Sequence, residues 1–144
     1  YDTERGDAQR PLRVALADAR GRLRVVAGND TLVMCHNCGG TWPEPFDSLV
    51  AEAGRFTISH YGGSRWRWSD SYRFDYDAQA KTWLLSAAQS GADTADNGHQ
   101  VRTYVRGRHF GSHRLSRLDR ESFWQRRTRP GVPEPRPVRD PSRS

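Results

Sequence analysis

Arg65-Trp66-Arg67-Trp68-Ser69-Asp70-Ser71-Tyr72-Arg73-Phe74-Asp75-Tyr76-Asp77 is the stretch that decides the fold class. Its even positions include Trp66, Trp68, Tyr72, Phe74 and Tyr76, whereas its odd positions carry only Arg, Ser and Asp. Successive side chains of a strand point to opposite faces, so this pattern predicts one long strand with an aromatic and a polar face. Asp70 is the exception on the aromatic side, and a bulge or turn near residues 69–71 is its expected accommodation.

Such a strand needs partners, and the flanking sequence supplies them. Upstream, residues 48–52 and 55–61 read as a hairpin around Ala53-Gly54, with Phe56, Ile58 and His60 sharing a face. Downstream, residues 77–80 turn the chain into a strand over 82–88 that carries Trp83 and Leu85. Residues 89–98 (QSGADTADNG) read as a loop, and Val101, Thr103 and Val105 alternate along a further strand over 100–106. Nearer the N-terminus, Leu12, Val14 and Leu16 face Leu23 and Val25 across a turn at 18–21. Asn29-Asp30 marks a second turn, 31–35 a short buried strand, and 36–47 a loop holding Gly39-Gly40 and two prolines. Ser116, Asp119 and Glu121 ahead of Arg126 and Arg127 form the signature of a short capped helix. The expected fold is therefore mainly β: an antiparallel meander of hairpins, a partly closed barrel among its forms, with one short C-terminal helix.

Composition sets the limits of that domain. The 144 residues fit one core, but a hydrophobic content of 35% and a mean hydropathy of −0.90 leave polar ends outside it. Residues 1–11 read as a polar N-terminal segment, 12–127 as a single β-rich domain, and 128–144 as a basic tail. Five of the eight prolines fall within 130–141, so that tail is expected to be extended and disordered. The only methionine is Met34, so the chain is read as a mature form after cleavage or as a fragment. No apolar run is long enough for a transmembrane helix.

Charge is distributed unevenly. Residues 99–144 hold 12 Arg against four acids, a net of +8, while residues 1–98 hold 11 basic residues against 13 acids, a net of −2. A basic third of this kind supports nucleic-acid or polyanion binding as an alternative function. Yet 22 of the 23 basic residues are Arg, with Lys81 the sole Lys, which a GC-rich genome explains without any polyanionic ligand.

Three constellations carry chemistry. Cys35-His36-Asn37-Cys38-Gly39-Gly40 admits a structural disulfide, a buried thiol pair, or half of a zinc site completed by His109 and His113. Zinc at Cys35 and Cys38 is the minority reading and no other cofactor is expected, because the histidine pair is distant and interrupted by glycine. A thioredoxin-like role lacks its βαβ context, and haem attachment lacks the His after the second Cys. His60 and Asp70, on what read as adjacent strands, form the only acid/base pair that suggests a small hydrolase-like enzyme. Phosphate-loop, dinucleotide and nucleophile-elbow motifs are absent from the sequence. Finally, Tyr61, Arg65, Trp66, Arg67 and Trp68 surround a Gly-Gly turn; aromatics stack on sugars or bases and Arg clamps anions. The competing reading places Trp66, Trp68 and Phe74 in the core of a sheet.

The motif set Cys35–Gly40, Pro45-Phe46, His60-Tyr61-Gly62-Gly63-Ser64, Trp66 with Trp68, Phe74 with Tyr76, and Trp83-Leu84 resembles that of a family of exported bacterial β-rich proteins with no assigned activity. Residues 109–111 are similar to a later element of that pattern, and the likeness spans about residues 12–125. Pro43-Glu44 stands where the family often has Gly-Asp. The resemblance implies a periplasmic or secreted location and, with it, a Cys35–Cys38 disulfide. The leading functional expectation is a non-catalytic interaction module whose partner is a protein or a cell-envelope glycan.

Overall fold

Ten to 41 and 44 to 143 are the residues that the computed structural model describes. Most of the N-terminal segment read over 1–11 thus lies outside the described residues. Among the described residues the fold is mainly β, with two antiparallel sheets and one short α-helix. Strands β1 (Arg10–Ala17) and β2 (Leu23–Val33) pair as a two-stranded ribbon. Strands β3 (Phe46–Glu52), β4 (Arg55–Gly63), β5 (Arg67–Asp77), β6 (Thr82–Thr94), β7 (Gly98–Val105) and β8 (Val138–Arg139) follow one another in a six-stranded sheet. That sheet stays open, with β3 and β8 as its edges, and no barrel closes. A 3-10 turn at Leu115–Arg117 leads into helix α1 (Arg120–Gln125).

The period-two pattern of the opening stretch sets which face is buried. On β4 and β5 the cross-strand pairs Phe56↔Phe74, Ile58↔Tyr72 and His60↔Asp70 all point inward. They meet Leu85, Ala88 and Tyr104 from β6 and β7, and the layer is closed by Leu12, Leu32, Val33, Leu115, Leu118 and Phe123. The rings of Phe56 and Phe74 stack at 5.2 Å between centroids, which adds orientation to the burial of apolar area.

Four local expectations are corrected. Strand β5 keeps its register with β4 straight through Asp70, and the irregularity falls instead between Arg73 and Phe74, where β5 meets β6. Asp70 needs no bulge because the buried groups around it satisfy its oxygens. Residues 89–94, read as loop, extend β6, since β5 and β7 pair it on both sides (Ser69↔Gly91↔Val101) and supply the ladder that local propensity does not. Asn29, read as a turn residue, lies within β2. Its buried side chain accepts from the Thr31 and Leu32 amides and donates to the Leu115 and Leu118 carbonyls at 2.6 and 2.7 Å, doing tertiary work with turn-type chemistry. The helix is capped by Asp119, which accepts from the Ser122 amide at 2.8 Å, and not by Ser116.

The Pro-rich segment read as a disordered tail runs along the sheet. Val138–Arg139 pair with β7, the Tyr104 hydroxyl donates to Glu134 at 2.6 Å, and the Asp140 amide donates to the His99 carbonyl at 2.8 Å. Proline spacing made the segment extended, and an extended chain is what an open sheet edge can pair.

Candidate functional site

Two polar clusters lie on opposite faces of the sheet. On the inner face, His60 and Asp70 meet as their strand positions suggest, Nδ1 to Oδ1 at 2.8 Å. The Met34 amide donates to His60 Nε2 at 3.2 Å. An amide can only donate, so Nε2 holds the lone pair and Nδ1–H is given to Asp70. Asp70 also receives the Arg120 guanidinium and the Tyr72 hydroxyl, and Trp124 Nε1 donates to that hydroxyl at 2.6 Å. Burial, with Asp70 beside it, raises the Tyr72 phenol above its ordinary range. His60 is fully buried with both nitrogens occupied, so the pair considered for acid/base work holds a core together and has no nitrogen left for a substrate.

The outer face carries the other cluster. Asp93 and His99 are directly opposed on β6 and β7, and Nδ1 lies 2.8 Å from Asp93 Oδ1. The ring then reaches diagonally over Gly91, and Nε2 lies 2.7 Å from the Oγ of Ser69 on β5. With Nδ1–H directed to the carboxylate, Nε2 accepts from the Ser69 hydroxyl. Gly91 makes the crossing possible: a Cβ there would stand 2.4 Å from Ser69 Oγ and 2.6 Å from His99 Nε2. The second Asp93 oxygen accepts from the Arg67 amide at 2.9 Å. Burial opposes ionisation of Asp93, but the Arg67 amide and the His99 ring outweigh it and hold the carboxyl below its ordinary range.

The five residues read as a binding surface do not share one surface. Arg65 and Trp66 stand exposed in the turn between β4 and β5, with Trp66 55% accessible. They line a hollow of about 230 Å³ together with Asp93, Thr94, Gly98 and His99. Tyr61 lies on the outer face, its ring edge against His99 at 5.8 Å and its face covered by Arg143 at 3.9 Å. Arg67 braces the turn, donating from Nη1 to the Gly63 carbonyl at 2.9 Å. Trp68 points to the inner face, half-buried, with Arg120 5.9 Å from its ring centre.

The turn itself is held from below. Cys35 and Cys38 form a disulfide with a Cα–Cα distance of 5.3 Å, so the intact bridge presents no thiolate pair to a metal. The loop it closes docks on the Gly-Gly turn: the Gly63 amide donates to the Gly39 carbonyl at 2.7 Å, and the Thr41 and Ser64 hydroxyls meet at 2.7 Å. Gly63 has φ of 107°, a conformation that side chains with a Cβ disfavour.

Sequence alone does not group Ser69, Asp93 and His99, because residues 89–98 read as a loop. Their signal lies in the hairpin: Asp93 and His99 stand symmetrically about the turn at 95–97 and so must face each other once β6 and β7 are paired. The lane opened by Gly91 is visible only in three dimensions. Against known protein families, curated proteins and solved structures, the chain has no match.

Proposed function

We propose that this protein is a binding module of the bacterial periplasm or exterior, and that its contact surface is the β4–β5 turn with the hollow beside it. The observation that carries this reading is Trp66. It is the one tryptophan of the motif that is mostly exposed, and it sits on a turn fixed by a disulfide loop, by one backbone hydrogen bond from Gly63 to Gly39 and by the Arg67 side chain. A large rigid apolar ring held out in solvent gains contact area on binding at small entropic cost. Beside it the hollow offers Arg65, an ionised Asp93 and Thr94, which suit the hydroxyl groups of a sugar. A cell-envelope glycan, with apolar ring faces and hydroxyl edges, is the ligand class that fits both features. The location rests on the likeness to exported proteins.

Titration of the folded protein with peptidoglycan fragments and capsular oligosaccharides, read by tryptophan fluorescence, tests this. Trp66→Ala and Arg65→Ala are expected to keep the fold, since both side chains are exposed, and to weaken binding about tenfold or more, the loss of a single hot-spot contact. Unfolding of these variants, or unchanged binding by them, overturns the assignment of the surface.

A further inference from the structure

We infer that Ser69 is a nucleophile toward short-chain acyl esters, with His99 as its base and Asp93 as the group that positions the base. This goes beyond the binding reading and does not depend on it. The inference stands on three features of the outer face.

First, the hydrogen bonds run in the order a general-base relay needs: Ser69 hydroxyl to His99 Nε2, and His99 Nδ1 to Asp93, at 2.7 and 2.8 Å. Such a relay is recognised by geometry and roles and not by a sequence motif, so the lack of a nucleophile elbow does not count against it. Second, the relay is built. Asp93 is fixed by the Arg67 amide, the His99 ring is walled by Tyr61, and Gly91 clears the path between base and hydroxyl. Third, Ser69 is half-buried and opens on a cavity of about 250 Å³. Its wall includes Ser59, Ser71, Gln89, Ser142 and Arg143. That volume admits an acetyl- to butyryl-sized group, and the cation on the wall is Arg143, whose guanidinium is shared with Asp47 on the same wall, so a developing oxyanion competes with that carboxylate for it.

The step balances with water as the co-reactant. Ser69 Oγ bonds to the acyl carbon and its proton passes to His99 Nε2. The carbon–oxygen bond to the leaving alcohol breaks, and that alcohol takes the proton from His99. Water then attacks the acyl-serine and gives a proton to His99, which returns it to Ser69 as the carboxylic acid leaves.

Treatment of the full chain with a biotinylated fluorophosphonate, followed by peptide mapping, is the direct test. One label on Ser69 is expected in the folded protein and none after unfolding in urea. With p-nitrophenyl acetate, the same serine is expected to gain the mass of one acetyl group. Asp93→Asn should lower kcat about 100-fold with KM unchanged, a separation that loss of fold does not produce. Ser69→Ala, a small change at a half-buried site, should abolish both labelling and turnover. Absence of label on Ser69 in the folded wild-type chain, or turnover that survives Ser69→Ala, overturns the inference whatever the other variants do.

Discussion

Gly91 is the residue on which the outer-face cluster turns. Every other member of that cluster contributes a group; Gly91 contributes the absence of one. An alanine there would put a methyl 2.4 Å from Ser69 Oγ, 2.6 Å from His99 Nε2 and 2.8 Å from Val101 Cγ1. Packing atoms that close forces neighbours to move, at a cost of about 1–3 kcal/mol. Gly91→Ala is therefore expected to lower the stability by that amount in chemical denaturation. It should also separate Ser69 from His99, which the imidazole N–H resonances in NMR report. An unchanged midpoint and unchanged resonances would mean that the strand shifts freely at this point. Asp70 makes the contrasting case. Its polar position on an aromatic face was legible, but its meaning was not, because His60, Tyr72 and Arg120 come from 10, two and 50 residues away.

Among the elements, the disulfide loop and the strand starts around it act as one clamp, and Glu44 is its centre. Its carboxylate binds Arg10 at the start of β1, His36 inside the loop, and the Phe46 amide at the start of β3. Burial works against the charge, yet the Arg10, Phe46 and His36 hydrogen bonds prevail and lower the carboxyl from 4.5 to about 2. A carboxyl lowered on folding adds stability above its unfolded value, and that contribution fades as pH falls toward the folded value. Glu44→Gln is thus expected to be less stable than the wild type at neutral pH, with the gap closing between pH 4.5 and about 2. Thermal melts of the two proteins across that range measure it. A gap that persists at the acid end would assign the effect to shape and not charge. The hairpins on either side of this clamp were readable from alternation alone, as β3 with β4 shows. The length of β6 was not, since its polar half is a strand only because two neighbours hold it.

For the whole molecule, the basic C-terminal third serves partly as structure. Arg120 pairs with Asp70, Arg127 with Glu134 and Arg143 with Asp47, while Arg102 and Arg129 donate to backbone carbonyls. The segment after Pro130 adds the contacts through Glu134, Pro135 and Arg143 and a short strand, but the buried core cluster reaches no further than Phe123 and the ring of Trp124 packed beside it. Removal of residues 134–144 is consequently expected to leave a cooperative fold, with a melting temperature lowered by several degrees, as loss of about 1–2 kcal/mol implies for a chain of this size. Scanning calorimetry decides: loss of the transition altogether would place the segment within the cooperative core.

What the sequence determined by itself is the alternation. Period two over residues 65–77 and 55–61 settles mainly-β architecture, the inward face and the aromatic core, because burial of apolar area follows from local spacing on a strand. What only the tertiary structure decided is which polar groups meet. Trp66 and Trp68 share a face by alternation, yet the turn before β5 leaves Trp66 in solvent while Trp68 points inward; His60 is tied to the core, and Ser69, Asp93 and His99 come together across three strands. Those contacts depend on strand order, register and one missing Cβ. None of these is a property of any single segment, and a local pattern carries no information about them.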